Sequence, residues 1–226
     1  MDDGRVVERE EEILVQVSDY YKNLFTSNAG NHMGALLQTV PTRVTAEMNS
    51  SLLRPFTEEE VKAGLDAIGD LKAPGVDGMS SLFYKKHWHI VGADVTKEVL
   101  QFLNEGHMPC KWNDTVVVLI PKVRNPDKLK DLRPISLCNV IYKVASKVLS
   151  NRLKIILPDV ISENQSAFVP GRLITDNILI AYELTHYLQN KRSGSDSYAA
   201  IKLDMSKAYD RVEWDFLKKN DAATRL

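Results

Sequence analysis

Five stretches of the chain place apolar residues every three or four positions. Only two short runs carry the β-branched, apolar composition of strands, so most of any core must be assembled from helices. The first helical stretch holds Ile13, Val17, Tyr20, Tyr21 and Leu24; Ser27-Asn28-Ala29-Gly30 ends it, and 28–34 reads as a connection. Thr57-Glu58-Glu59-Glu60 forms a capping box, in which a hydroxyl and a carboxylate satisfy each other's backbone N–H groups ahead of Val61, Leu65 and Ile68. A third helix is spaced through Val91, Val95, Val99, Leu100 and Leu103 and stops at Asn104-Glu105-Gly106. A fourth runs through Ile141, Val144, Val148, Leu149, Leu153 and Ile156 to Pro158, and a fifth covers 178–188. The run 115–120 predicts a buried strand stopped by Pro121. The run 198–203 predicts a strand that delivers Asp204 at its carboxyl end, after which Ser206 caps a short helix. The expected class is α+β.

Between these elements lies one loop of unusual composition. Lys72-Ala73-Pro74-Gly75-Val76-Asp77-Gly78 holds a proline and two glycines, which forbid regular structure and favour a tight, exposed turn. Charge is uneven along the chain although the formal sum is -1. Glu8, Glu10, Glu11 and Glu12 make the start acidic, whereas between 111 and 154 ten lysines and arginines stand against Asp114, Asp127 and Asp131. Such a basic stretch attracts a phosphate backbone by releasing its counterions; a solvated helix face is the other reading. No apolar run approaches the ~20 residues that span a bilayer, and the acidic start is unlike a signal or transit peptide, so an intracellular protein with no membrane partner is expected. Cys110 and Cys138 read as free, partly buried thiols. His87 and His89 flank Trp88 without a cysteine or carboxylate nearby, which favours a plain surface over a metal site. Trp112 and Trp214 read as anchors of core packing.

An aspartate at the end of a strand is a common way to hold a divalent cation on a rigid sheet, and is more commonly only a turn residue. Here Asp204 is followed by Lys207-Ala208-Tyr209-Asp210-Arg211-Val212. With that motif the chain resembles the reverse transcriptases of non-LTR, LINE-type retroelements, particularly those of plant genomes. The loop 72–78, then Leu119-Ile120-Pro121-Lys122 and Leu132-Arg133-Pro134-Ile135-Ser136-Leu137, resemble that family's fingers motifs. Gln165-Ser166-Ala167-Phe168-Val169-Pro170-Gly171-Arg172 resembles the segment that precedes its palm. Several ordered motifs over 56–216 are far more specific than any one of them.

The resemblance implies a helix-rich fingers region followed by the beginning of a polymerase palm. The expected divisions are an N-terminal helical extension over 1–55, fingers over 56–197 and the start of the palm over 198–226. It implies RNA-directed DNA polymerase chemistry on an RNA template, a DNA primer and a deoxynucleoside triphosphate, with Mg2+ as cofactor. Asp204 takes the position of a catalytic metal ligand. Tyr209 takes that of a steric gate against a ribose 2′ hydroxyl, or else is an aromatic that packs a short helix. Lys122 and Arg133 match triphosphate contacts, or supply unspecific charge beside the template; Gln165, Arg172 and Lys130 are candidate nucleic-acid contacts. Lys207 and Asp210 match the family and equally fit an i, i+3 ion pair. The family's later pair of adjacent acids has no counterpart among Asp210, Asp215 and Asp221, and 218–226 departs from the expected apolar helical pattern. The sequence therefore predicts a palm truncated before its sheet is complete, inactive alone, with nucleic-acid binding or assembly on a full-length polymerase as the alternative role.

Overall fold

The computed structural model describes residues 7–27, 37–191, 197–205 and 208–224. Contacts gather the chain into two units, Met1–Asn23 with Ser50–Leu153, and Leu24–Asn49 with Lys154–Leu226.

The first unit holds most of helix α1 (Glu10–Phe25), then α2 (Ala46–Leu52, from Ser50 on), α3 (Glu58–Asp66), α4 (Ser81–Lys86), α5 (Trp88–Glu105), β1 (Thr115–Pro121), β2 (Leu132–Cys138) and the greater part of α6 (Val140–Val160). The capping box forms as expected: the Thr57 hydroxyl accepts the Glu60 N–H, and the Glu60 carboxylate accepts the Thr57 N–H. Gly106, left-handed at φ 76°, ends α5. Many of the periodic residues are in the core: Val61 and Leu65 of α3, Val95 and Val99 of α5, and Val144 and Val148 of α6 cluster with Ile68 and Tyr84. Val140 joins them without having been expected, and Leu149, expected on the same face, is exposed. Burying such a side chain is worth roughly 1.5–3 kcal/mol. Helices α3 and α6 approach closely because residue 64 is glycine, where a Cβ would lie 2.9 Å from Val148 Cγ2 and 3.3 Å from the Val144 carbonyl oxygen.

The helix stripe 140, 144, 148 continues to Arg152, which is 6% exposed. Its five N–H groups are all used. Nε and Nη2 donate to the Glu60 carboxylate at 2.7 Å each, Nη1 to the carbonyls of Leu52 (2.8 Å) and Arg54, and Nη2 also to Pro55 (2.8 Å). The guanidinium lies 3.6 Å from the Phe56 ring centroid. The Arg152 hydrogen bond is the main reason the Glu60 carboxyl sits below its ordinary range.

The second unit contains the end of α6, α7 (Ile174–Asn190), a 3-10 turn at Tyr209–Arg211 and α8 (Trp214–Thr224). Its buried apolar residues among the described ones are few: Val44, Ile156 and Val169. Helix α7 buries no residue, and Ile178, Leu179, Ile180, Tyr182 and Leu184 are each about three-fifths exposed.

Several expectations are corrected. Strand β1 is half-exposed rather than buried, because one antiparallel partner gives it ladder bonds without covering a face. β2 is not expected from the sequence; it forms as the antiparallel partner of β1 although it contains Pro134. The run 198–203 forms no strand: it pairs with nothing among the described residues, and Ile201 and Leu203 are more than 80% exposed. Trp112 does anchor the core, edge-on to Phe102 at 5.8 Å, but Trp214 is 79% exposed. Helix α6 runs past Pro158, and α8 continues through the tail to Thr224. Both cysteines are free, Cys110 exposed and Cys138 half-buried. No helix among the described residues is long and apolar enough to cross a membrane.

Candidate nucleic-acid interface

In the first unit the hairpin collects three of the expected residues. β1 and β2 pair in a register that sets Ile120 opposite Arg133 and Pro121 opposite Leu132. The Lys122 N–H donates to the Asp131 carbonyl at 2.8 Å, and a 3-10 turn at Leu129–Asp131 tightens the return. Lys122 Nζ reaches the Lys130 carbonyl at 3.3 Å. Lys122, Lys130 and Arg133 therefore share one end of the hairpin, with Arg124 and Lys128 in the connecting loop. All five are exposed or half-buried, and none forms an ion pair among the described residues.

The loop 72–78 is seated where β2 hands over to α6. Residue 75 has to be glycine: a Cβ there would lie 2.3 Å from Asn139 Oδ1, 2.4 Å from the Asn139 nitrogen and 2.6 Å from the Cys138 carbonyl carbon. Lys143 Nζ donates to the Ala73 carbonyl at 2.6 Å. The Asp77 carboxylate accepts the Met79 N–H at 3.0 Å. Tyr84 below it has its phenol pushed up by burial and then by the Asp77 charge.

In the second unit the segment 158–172 is closed by one arginine. Arg172 Nη1 donates to the carbonyls of Ser162 and Gln165, the latter at 2.8 Å, and Nη2 to those of Pro158 (3.0 Å) and Ile161 (3.1 Å). All four terminal N–H groups are thus spent on backbone, so Arg172 shapes this loop and keeps few donors for a phosphate. Gln165 is exposed, and its amide nitrogen donates to the Ala167 carbonyl at 3.1 Å. Ser166, 6% exposed, donates to Asn177 Oδ1 of α7 at 2.8 Å.

Asp204 lies in exposed irregular chain, and Tyr209 opens the 3-10 turn with its ring 80% exposed, so it packs no helix. Ser206 and Lys207, read as a cap and as a partner of Asp210, lie outside the described residues. Among the described residues no group of three or more histidines, cysteines or acids could hold a metal ion. By themselves they do not make a magnesium site. His87 and His89 stand at the α4–α5 junction with ring centroids 6.5 Å apart, His87 against Phe83.

Sequence reasoning misses Arg152, Asn139 and Lys143. Arg152 carries a usable signal, a cation on an apolar stripe, which demands a buried partner. Asn139 and Lys143 carry none, because their contacts lie over sixty residues away in sequence.

The match to a known family begins at the end of β1 and runs through β2, α6 and the C-terminal part of the second unit. Residues 120–225 match the family described as reverse transcriptase (RNA-dependent DNA polymerase). Over 218 residues, 96% of its length, the chain is 32% identical to the transposon TX1 uncharacterized 149 kDa protein of Xenopus laevis, covering 16% of that protein. It is 24% identical over 160 residues to the retrovirus-related Pol polyprotein from type-1 retrotransposable element R2 of Popillia japonica, 70% of this chain and 21% of that one. With the probable RNA-directed DNA polymerase from transposon BS of Drosophila melanogaster it shares 22% identity over 224 residues, 95% of this chain and 24% of that one. The chain thus spans 16% to 24% of the length of these curated relatives.

Proposed function

Residues 120–225 are part of a reverse transcriptase domain of the non-LTR retrotransposon kind, and from that premise we propose that the chain holds RNA template and DNA primer for an RNA-directed DNA polymerase. The observation that carries this reading is the cationic end of the β1–β2 hairpin, where Lys122, Lys130 and Arg133 converge free of carboxylate partners among the described residues. Unneutralised cations in one place bind a polyphosphate chain and release its counterions. Lys122 and Arg133 are assigned to the triphosphate of the incoming nucleotide, the arginine as a fork and the lysine as a point charge. Lys130 and Gln165 are assigned to the nucleic-acid strand, Tyr209 to the sugar of the nucleotide, and Asp204 to Mg2+ as one ligand of a larger set.

Two-metal nucleotidyl transfer needs several carboxylates around the ions. Asp204 without such a set among the described residues favours a second reading for the chain by itself, binding without turnover. No primer extension is expected from the isolated chain with magnesium, and template-directed addition abolished by Asp204→Ala would refute that. Binding is tested by fluorescence anisotropy on single-stranded RNA across a salt series. Affinity should fall with salt, and charge reversal at Lys122, Lys130 and Arg133 should weaken it and flatten the slope by about 0.7 for each phosphate left without its cation. An affinity indifferent to both salt and charge reversal removes the reading.

A further inference from the structure

Phe168 is held in a conformation that a phenylalanine rarely adopts. Its φ is +66°, in the left-handed region where a bulky side chain is an outlier, and its ring is 80% exposed. The nearby Gly171, at φ +78°, shows the ordinary solution to such a turn; residue 168 does not use it. Nor does the ring gain by burial, while the residues around it do: Ser166 and Val169 are each 6% exposed. The loop is fixed from several sides, by Ser166 on Asn177, by the Gln165 amide on the Ala167 carbonyl, and by the Arg172 fork on four carbonyls. Strain of this kind persists where surroundings over-determine it, and collects at binding sites. Arg172, four residues on, forms no ion pair among the described residues. A rigidly displayed aromatic face beside a cation is the combination that holds unpaired bases, the ring stacking on the base while the charge attracts the backbone.

We propose that Phe168 is a stacking platform for an unpaired base of bound single-stranded RNA. This rests on the reading that the chain binds RNA, and adds to it a contact that is not electrostatic. The test uses the whole chain and a single-stranded RNA oligomer, with anisotropy for affinity, sedimentation for oligomeric state and thermal denaturation for folding. Phe168→Ala should lower affinity about tenfold, the size of one base–aromatic stack, with the salt slope unchanged. Phe168→Trp should retain affinity and add indole fluorescence that RNA quenches. Phe168→Gly separates binding from structure: it relieves the backbone, so melting temperature should hold or rise while affinity falls. If wild type binds and Phe168→Ala binds equally well, the platform is overturned and the RNA reading stands. A change of oligomeric state in Phe168→Ala with unchanged RNA affinity overturns it in favour of a protein contact. If wild type shows no salt-dependent binding, the RNA reading falls first and the platform with it.

Discussion

Arg152 and Arg172 each spend a guanidinium group on backbone carbonyls, but the regions they organise differ in what surrounds the charge. Arg152 is buried at the end of the α6 stripe, against the Phe56 ring, and a carboxylate faces it. It joins α6 to the chain entering α3, across about a hundred residues of sequence. Arg172 closes a loop of its own neighbours in a region with few buried side chains, and no carboxylate faces it among the described residues. The same fork therefore serves cohesion in one unit and display in the other. Where apolar side chains fill the space, the cation must be neutralised; where they do not, its charge stays available to a ligand.

The largest expected effect tests the cohesive half. Arg152→Met leaves Glu60 and the carbonyls of Leu52, Arg54 and Pro55 without their donor. A broken buried pair costs roughly 3–5 kcal/mol; Glu60 keeps 32% side-chain exposure and can rehydrate, so about 3 kcal/mol is expected in urea denaturation. The linkage adds a pH signature. Glu60 titrates lower in the folded chain than unfolded, so its contribution is complete above the ordinary glutamate value of 4.5 and fades as pH falls through the lowered value. Wild type should lose stability over that acid window, and Arg152→Met should lose less. Equal acid sensitivity in both would place the effect elsewhere.

Next in size is Gly75→Ala. The new methyl would meet the backbone of Cys138 and Asn139 at 2.4–2.6 Å, and backbone cannot rotate away as a side-chain end can. About 2 kcal/mol is expected in the same denaturation series, together with displacement of the loop 72–78 from the hairpin's base. Thr57→Ala, removing one half of the capping box, should cost about 1 kcal/mol.

The helical unit is legible because its signals are local: the box at 57–60 and the glycine at 106 are each complete within a turn of chain, and the apolar spacing of α3, α5 and α6 within a few turns. The misread parts depend on neighbours that periodicity does not name. β1 has strand composition whether or not a second layer covers it, and 198–203 has it too, but a strand exists only where another accepts its hydrogen bonds. Pro134 argues locally against a strand that the pairing with β1 overrides. Of the candidate site, Lys122 and Arg133 can be named from motifs and Lys130 from the basic stretch, while their shared place follows from a register that only the folded hairpin defines. Phe168 is legible as a motif letter but not as a strained, exposed ring, since φ is set by the clamp around it.

An equally small global effect is expected at Arg172, and it carries the sharpest version of the comparison. Arg172→Ala removes four hydrogen bonds, one fewer than Arg152→Met, yet the carbonyls it releases belong to a largely exposed loop that water can reach. The net loss should be about 1 kcal/mol, roughly a third of the Arg152 effect despite a similar bond count. Its signature should instead be local. Amide hydrogens of 161–172 should exchange much faster while those of α3, α5 and α6 up to Leu153 keep their protection, and RNA affinity should fall along with the ordering of Phe168. If Arg172→Ala destabilised the whole chain as strongly as Arg152→Met, the loop would be a structural joint, and the distinction between a neutralised and an available arginine would be lost.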